Sequence, residues 1–262
     1  MYNNYQSFLQ TPIDIETFYF KSNPNYCGIL EHVSFEYGNK YLNLIVEEFP
    51  DISFSVLNEF CNINDLYGNP KKETFIKDNN YLICSPTSLR YIYHALTILQ
   101  YYQKTNCKNI VEVGCGYGGL CLAINYFIKY FETQINNYHI IDLPEPLNLI
   151  GHYLNKHNSH IKVNVNYHNS STYGINIEDK ELFFISNYCY TEIDKIHNRE
   201  YTTKLLPKVD NGFITWQNGG NKGAYPVENS SGIINKEIVK VIEEKPQTDA
   251  GYDIYMNYFV YF

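Results

Sequence analysis

The sequence predicts an α/β fold built on a mostly parallel β-sheet, and three features support this prediction. Strand-like and helix-like apolar segments alternate along the chain from residue 85 onward. A glycine-rich turn joins the first of these strands to the helix that follows it. Two further strand-like segments, 237–242 and 253–262, flank a turn-rich stretch, which indicates a C-terminal hairpin.

The periodicity of apolar residues places the elements in order. The pair Ser85-Pro86 is typical of a helix start, and a long amphipathic helix is predicted over 87–103. The predicted strands are 109–113, 137–142, 161–167, 181–186 and 213–216, and the predicted helices between them are 118–131, 146–157 and 192–206. The first 80 residues lack this alternation. We therefore predict an α/β domain over 85–262 and an N-terminal region over 1–84, which forms a mostly helical cap on the substrate side or a homodimer contact.

The run Val111-Glu112-Val113-Gly114-Cys115-Gly116-Tyr117-Gly118-Gly119 is the most informative stretch, because it places an acid and four glycines at one strand-to-helix turn. Glycine allows the backbone to turn sharply and lets a ligand approach closely. Gly114, Gly116 and Gly119 also satisfy the G-x-G-x-x-G spacing of dinucleotide-binding loops. The glycines alone therefore indicate a nucleotide-type cofactor without fixing its class.

Two carboxylates narrow the class of cofactor. Glu112 would repel the pyrophosphate of a dinucleotide and attract the ammonium group of S-adenosylmethionine. Asp142 ends the next apolar strand, about where a carboxylate that binds ribose is expected. We interpret the loop as an S-adenosylmethionine site, with a dinucleotide or an unliganded turn as the alternatives.

The chain resembles the class I S-adenosylmethionine-dependent methyltransferases and, within them, the sugar O-methyltransferase group. Beyond the loop, the resemblance rests on segments in matching order, namely 64–70 (NDLYGNP), 85–91 (SPTSLRY), 140–147 followed by Tyr153-Leu154, and 184–187 followed by Glu192. It implies a Rossmann-like sheet of seven strands in the order 3-2-1-4-5-7-6 with an antiparallel final hairpin, flanked by helices. It also implies methyl transfer to a hydroxyl of a sugar or nucleotide-linked sugar in glycan biosynthesis, with S-adenosylhomocysteine as product.

The resemblance further implies the contacts of the cofactor. The backbone of the loop glycines would lie against the amino acid part, Asp142 would accept hydrogen bonds from the ribose hydroxyls, and Leu143 would flank the adenine. The predicted cofactor-binding residues are Glu112, Gly114, Cys115, Gly116, Tyr117, Gly118, Asp142 and Leu143. Residues 167–170 offer only neutral groups where some class I enzymes place an acid near the adenine amine.

An alcohol attacks a methyl group well only if a base removes its proton, so a base is expected beside the methyl group. Glu192 is the first candidate, because it follows the fourth strand in the family's Ser-Asn…Glu context. Its alternative role is an acid at a helix start. His94 and His197 are further candidates, because the pKa of an imidazole suits the task. Asn187 is predicted to orient the acceptor hydroxyl, with a turn-forming role as the alternative.

Arg90, Tyr190 and Asn218 are predicted to contact the acceptor. Arg90 could bind a diphosphate if the acceptor is a sugar nucleotide, and a structural ion pair is its alternative role. Glu192 and Asp194 could supply carboxylates to a divalent ion, but side chains at i and i+2 of a helix diverge. We therefore predict no metal.

Composition disfavours several classes of protein. The net charge is −8 and the chain has only two arginines, so it lacks the basic face that nucleic acid binding requires. Its seven cysteines are scattered without a C-x-x-C pair, which indicates reduced thiols. No apolar run reaches membrane-spanning length and the N-terminus lacks the pattern of a signal peptide, so we expect a cytoplasmic protein. The abundance of Asn, Tyr, Ile and Lys is typical of AT-rich genomes such as those of large DNA viruses, in which case the cytoplasm is that of the host.

Three other functions stay open on the sequence. The acceptor could be an amine or another small metabolite. The chain could be a methyltransferase-like module that binds a cofactor or partner without turnover. An NAD-dependent oxidoreductase is the third, and Glu112 together with the terminal hairpin disfavours it.

Overall fold

The structure is a computed structural model that describes residues 2–218, 225–248 and 256–262. The chain divides into two compact units. The first unit comprises residues 1–100, 116–131 and 148–162, and the second comprises residues 101–115, 132–147 and 163–262.

The first unit combines helices with a small hairpin. Its N-terminal elements are α1 (Tyr2–Leu9), α2 (Pro24–Cys27), α3 (Phe35–Glu48), α4 (Phe54–Asn64), strands β1 (Glu73–Lys77) and β2 (Asn80–Cys84), and most of α5 (Pro86–Tyr102). The serines before α3 and α4, Ser34 and Ser53, accept hydrogen bonds from N–H groups in the first turn of each helix. The region is mostly helical, as predicted, but the sequence analysis missed the hairpin.

The second unit is built on a seven-stranded sheet. The strands are β3 (Asn109–Val113), β4 (Asn137–Asp142), β5 (Asn164–Asn169), β6 (Leu182–Asn187), β7 (Val209–Gln217), β8 (Lys240–Glu243) and β9 (Asn257–Tyr261). Their order is β5-β4-β3-β6-β7-β9-β8. Strands β3 to β7 run parallel, and β9 pairs antiparallel with both β7 and β8. Counted from β3, this is the order 3-2-1-4-5-7-6, and the predicted fold class is confirmed.

Helices connect the parallel strands. Helix α6 (Gly119–Phe127) links β3 to β4, α7 (Pro144–Lys156) links β4 to β5, α8 (Lys195–Lys204) links β6 to β7, and α9 (Ser230–Ile234) follows β7. Single 3-10 turns lie at Phe20–Ser22, Ile128–Tyr130, Asn158–His160, Ser170–Thr172, Leu206–Lys208 and Val227–Asn229. In the described residues, no helix is both long and apolar enough to cross a membrane.

The core of the second unit forms because its central strands are apolar on both faces. All five residues of β3 are buried. Val111 of β3 and Phe184 of β6 belong to one hydrophobic cluster with Tyr201 of α8 and with Leu205, which directly follows that helix. A strand that is buried on both faces needs this near-continuous apolar sequence.

Several boundaries differ from those that the periodicity predicts. The third parallel strand lies at 164–169 instead of 161–167, and the helix predicted to begin at residue 192 begins at Lys195. The C-terminal hairpin is present with shorter strands, and residues 249–255 of that prediction lie outside the described residues. The division at residue 84, and the role of the N-terminal region as cap or dimer contact, stay predictions.

Candidate functional site

The carboxyl ends of β3, β4, β6 and β7 carry most of the polar residues that the sequence analysis singled out. Ligands of open parallel sheets bind at this edge, because the loops that follow the strands gather there. Glu112 is the penultimate residue of β3. Asp142, Asn187 and Gln217 are the last residues of β4, β6 and β7. Each of these residues belongs to the second unit.

The loop after β3 depends on glycine for its conformation. Gly114, Gly116 and Gly118 have φ values of 79°, 61° and 90°, in the left-handed region that side chains disfavour. At Gly114 a Cβ would also lie 2.3 Å from the Cβ and the Sγ of Cys189. Both the dihedral angle and the close approach of the turn after β6 therefore require glycine at this position.

Asp142 joins the loop to the end of β4. Its Oδ2 accepts a hydrogen bond from the Cys115 N–H at 2.8 Å, and its Oδ1 accepts one from the Leu143 N–H at 2.8 Å. The Asp142 side chain is half-buried, and Leu143 beside it is exposed. Each carboxylate oxygen can accept a second hydrogen bond, so the residue can hold the loop and still bind a hydroxyl group.

Glu112 is an almost fully buried acid, with an exposure of 2%. Its Oε2 accepts a hydrogen bond from the Tyr138 hydroxyl at 2.7 Å. Burial raises the pKa of Glu112 to about 7, against the opposing effect of hydrogen bonds from Tyr138 and Cys115, and the charge of Asp142 raises it further.

The turn after β6 brings the proposed acceptor-side residues to the same edge. The Asn187 Oδ1 accepts a hydrogen bond from the Thr215 hydroxyl at 2.8 Å. The Ser186 hydroxyl donates to the Val113 carbonyl at 2.8 Å and accepts from the Tyr190 N–H at 3.1 Å. The turn is thereby fixed to both neighbouring strands.

Glu192 is exposed at the end of this turn. The Gln217 side-chain amide is assigned the orientation in which its nitrogen donates two hydrogen bonds. They go to the Glu192 Oε1 at 3.0 Å and to the Tyr188 carbonyl at 3.2 Å. Asp194 caps α8 by accepting hydrogen bonds from the N–H groups of Ile196 and His197, each at 3.0 Å. The helix-start role considered for Glu192 therefore belongs to Asp194.

The two histidine candidates differ in environment. His94 is buried in the first unit. Its pKa is lowered to about 3, mainly by burial and to a smaller extent by the charge of Arg90. It is neutral near pH 7 and a weak base. His197 is exposed in the first turn of α8, with its Nδ1 2.6 Å from the Tyr173 hydroxyl. Of the two, only His197 is exposed.

The residues predicted to contact the acceptor have structural partners. The Arg90 guanidinium donates to the Leu30 carbonyl at 2.9 Å, and the Asn218 Oδ1 accepts from the Val227 N–H at 2.7 Å. Tyr190 has no exposed surface, and its hydroxyl lies 3.0 Å from the Thr202 hydroxyl. Tyr190 packs as a core residue, because its ring is large and apolar, and a role in contacting the acceptor is not supported.

The loop residue Tyr117 belongs to the first unit and takes part in a buried polar network around Asn64. The Asn64 Nδ2 donates to the Tyr117 hydroxyl at 3.0 Å and to the Ser88 hydroxyl at 2.7 Å. The Lys21 ammonium donates to the Asn64 carbonyl at 2.5 Å and lies 4.3 Å from the centre of the Tyr117 ring. The Tyr153 hydroxyl donates to the Asn64 Oδ1 at 2.9 Å. Segments 64–70 and 85–91 thus have a physical role, because they supply residues that fix this part of the loop.

Sequence reasoning missed several residues of the site. Tyr138 could have been found from the alternation of side chains along β4. Glu112 pairs with Ile140 across the sheet, and Tyr138 lies two residues before Ile140, so Tyr138 and Glu112 lie on the same face. Thr215, the partner of Asn187, could not be found from the local sequence. The seven cysteines are free thiols. No group of three potential metal ligands occurs among the described residues.

No protein-family model matches the chain, and no curated protein matches it. Solved structures with a similar fold include a protein from Klebsiella pneumoniae described as a candidate O-methyltransferase, at 10% identity and a TM-score of 0.49, covering 84% of this chain and 94% of that one. Another is magnesium protoporphyrin IX methyltransferase from Synechocystis PCC 6803 with bound SAM, at 7% identity and a TM-score of 0.46, covering 66% and 79%. At such identities the similarity concerns the fold alone.

Glu112→Gln is expected to flatten the dependence of stability on pH. Because the pKa of Glu112 is raised from 4.5 to about 7 on folding, its stabilising contribution is complete below pH 4.5 and is lost as the pH rises through 7. A shift of this size corresponds to about 3 kcal/mol as an upper value. Urea unfolding at about pH 5 and pH 8 measures the effect. The exposed acid Glu178 provides the control variant Glu178→Gln, and equal pH dependence in Glu112→Gln and the wild type would contradict the assignment.

Proposed function

We propose that the protein is an S-adenosylmethionine-dependent methyltransferase that methylates a hydroxyl of a small acceptor, a sugar or a nucleotide-linked sugar. The observation that carries the proposal is the left-handed glycine turn after β3, with Glu112 before it and Asp142 hydrogen bonded to it. The sheet order supports it, since the sequence resemblance to class I methyltransferases implies the same order.

The residues present fit this cofactor. The loop glycines leave room for its amino acid part, because no side chain projects from them toward a ligand. Asp142 offers acceptor oxygens to ribose hydroxyls, and the exposed Leu143 next to it offers an apolar surface to the adenine. When bound, the cofactor supplies an electrophilic methyl group on a cationic sulfur.

The electrostatics of the site favour a cation over a pyrophosphate. Cys189 lies against Gly114, so the charges that act on its thiol also act on a ligand at the loop. Burial raises the pKa of the Cys189 thiol, and the charges of Asp142, Glu192 and Glu112 raise it further. Three carboxylates around one position attract the ammonium and sulfonium groups of S-adenosylmethionine and repel the pyrophosphate of NAD.

Glu192 is proposed as the general base. Its carboxylate is exposed after β6, where an acceptor hydroxyl can reach it, and the Gln217 amide donates to its Oε1. The carboxylate takes the hydroxyl proton as the acceptor oxygen forms its bond to carbon. The Thr215 hydroxyl holds the Asn187 Oδ1, which orients the amide so that its nitrogen can donate to the acceptor.

The acceptor class can be tested directly by mass spectrometry. The protein is incubated with S-adenosylmethionine that carries a deuterated methyl group and with a panel of sugars, sugar nucleotides, small amines and RNA. We expect the label on the hydroxyl of one sugar or sugar nucleotide, with S-adenosylhomocysteine formed in equal amount. Label on an amine or on RNA, or no labelled product from any member of the panel, would contradict the proposed acceptor.

Glu192→Gln is expected to lower turnover by on the order of 10²–10⁴, the usual contribution of general base catalysis, because glutamine cannot accept the proton. Affinity for S-adenosylhomocysteine is expected to stay the same. Steady-state kinetics and calorimetry measure the two quantities.

Asp194→Ala is the matched control, because Asp194 lies two residues away and caps α8. It is expected to cost about 0.5–2 kcal/mol of stability and to leave turnover unchanged. If Glu192→Gln turns over at the wild-type rate, Glu192 is not the base, and His197 becomes the candidate.

A further inference from the structure

Glu244, which directly follows β8, is a buried acid that the proposed chemistry does not use. Its side chain is 2% exposed. Its Oε2 accepts hydrogen bonds from the Thr248 N–H at 2.9 Å, the Thr248 hydroxyl at 2.7 Å and the Asn257 amide at 3.1 Å. Its Oε1 accepts a hydrogen bond from the Tyr188 hydroxyl. The terminal hairpin is therefore bonded to the turn that follows β6.

Tyr188 has an unusual backbone conformation. Its φ is 64°, in the left-handed region, which is a genuine outlier for a bulky side chain. Such residues persist only where the surrounding structure fixes them, and they concentrate at active sites. The Tyr188 N–H donates to the Thr215 carbonyl at 3.0 Å, and its hydroxyl donates to Glu244.

The Tyr188 conformation is connected to the proposed base. The Gln217 amide bridges the Tyr188 carbonyl and the Glu192 Oε1. Tyr188 also lies directly between Asn187 and Cys189 in the chain. Tyr188 is therefore linked to Glu192 through Gln217 and to Asn187 through the chain.

We propose that Glu244 and Tyr188 are positioning residues, which hold the turn 187–192 so that Asn187 and Glu192 face the acceptor. The inference rests on the proposed function of that turn. Packing alone does not explain the pair, because burying a carboxylate costs free energy that an apolar side chain would avoid. Burial of the Glu244 carboxylate and the left-handed backbone of Tyr188 both cost free energy, and both occur at the turn that carries the proposed base.

The test compares Tyr188→Phe and Glu244→Gln with Tyr102→Phe. Tyr102 is the control, because it is a tyrosine whose hydroxyl likewise donates to an oxygen, the Gln134 carbonyl at 3.2 Å, in the loop before β4. Tyr102 is buried and Tyr188 is half-buried. Hydrogen exchange is measured for the peptide that covers residues 187–193, together with affinity for S-adenosylhomocysteine. Turnover and KM are measured with the acceptor from the panel above.

We expect exchange in the 187–193 peptide to accelerate by about tenfold in Tyr188→Phe, the effect of losing one hydrogen bond to a charged group. Affinity for S-adenosylhomocysteine should stay within about twofold, while turnover falls by on the order of 10²-fold, because the base is misplaced rather than removed. Glu244→Gln should show the same changes in exchange and turnover. Tyr102→Phe should leave both the exchange of the 187–193 peptide and the turnover unchanged.

Unchanged exchange in Tyr188→Phe would overturn the inference, and so would faster exchange with unchanged turnover, since the pair would then be structural only. Failure of the wild type to bind S-adenosylhomocysteine contradicts the proposed function instead. If the panel yields no acceptor, exchange and cofactor affinity still decide whether the pair holds the turn.

Discussion

The hydrogen bond from the Cys115 N–H to the Asp142 carboxylate is the interaction on which the rest of the proposed site depends. It holds the loop after β3 against the end of β4 while the backbone takes left-handed conformations that only glycine adopts easily. The same conformation leaves no room for a side chain on Gly114, and Cys189 fills the adjoining space. The positions of the loop, Asp142 and the turn after β6 are therefore determined together.

Negative charge is the second property that organises the site. Burial raises the pKa of the Cys189 thiol most, and the charges of Asp142, Glu192 and Glu112 raise it further. Such a site favours a cationic methyl donor and a neutral hydroxyl at the point of transfer. An acceptor with a diphosphate would have to bind with that group away from these carboxylates.

Local sequence signals account for much of the fold and for the cofactor side of the site. The glycine loop and Asp142 were predictable because each combines a short motif with the end of an apolar strand. The β1–β2 hairpin was missed, although Asp78 and Asn79 have the positive φ values of a two-residue turn that Asn and Asp tolerate. The start of α8 was misplaced, since Glu192 and Asp194 are equally plausible capping acids in the sequence. The bond between Tyr188 and Glu244 spans 56 residues and left no periodic or motif signal.

The central claim is that the site binds S-adenosylmethionine and its product rather than a dinucleotide. Calorimetric titration of the wild type and Asp142→Ala with S-adenosylhomocysteine and with NAD tests it most directly. The account predicts that the wild type binds S-adenosylhomocysteine and not NAD, and that Asp142→Ala weakens binding by roughly 1–3 kcal/mol, because hydrogen bonds to a charged group are lost. Binding of NAD without any response to S-adenosylhomocysteine would contradict it.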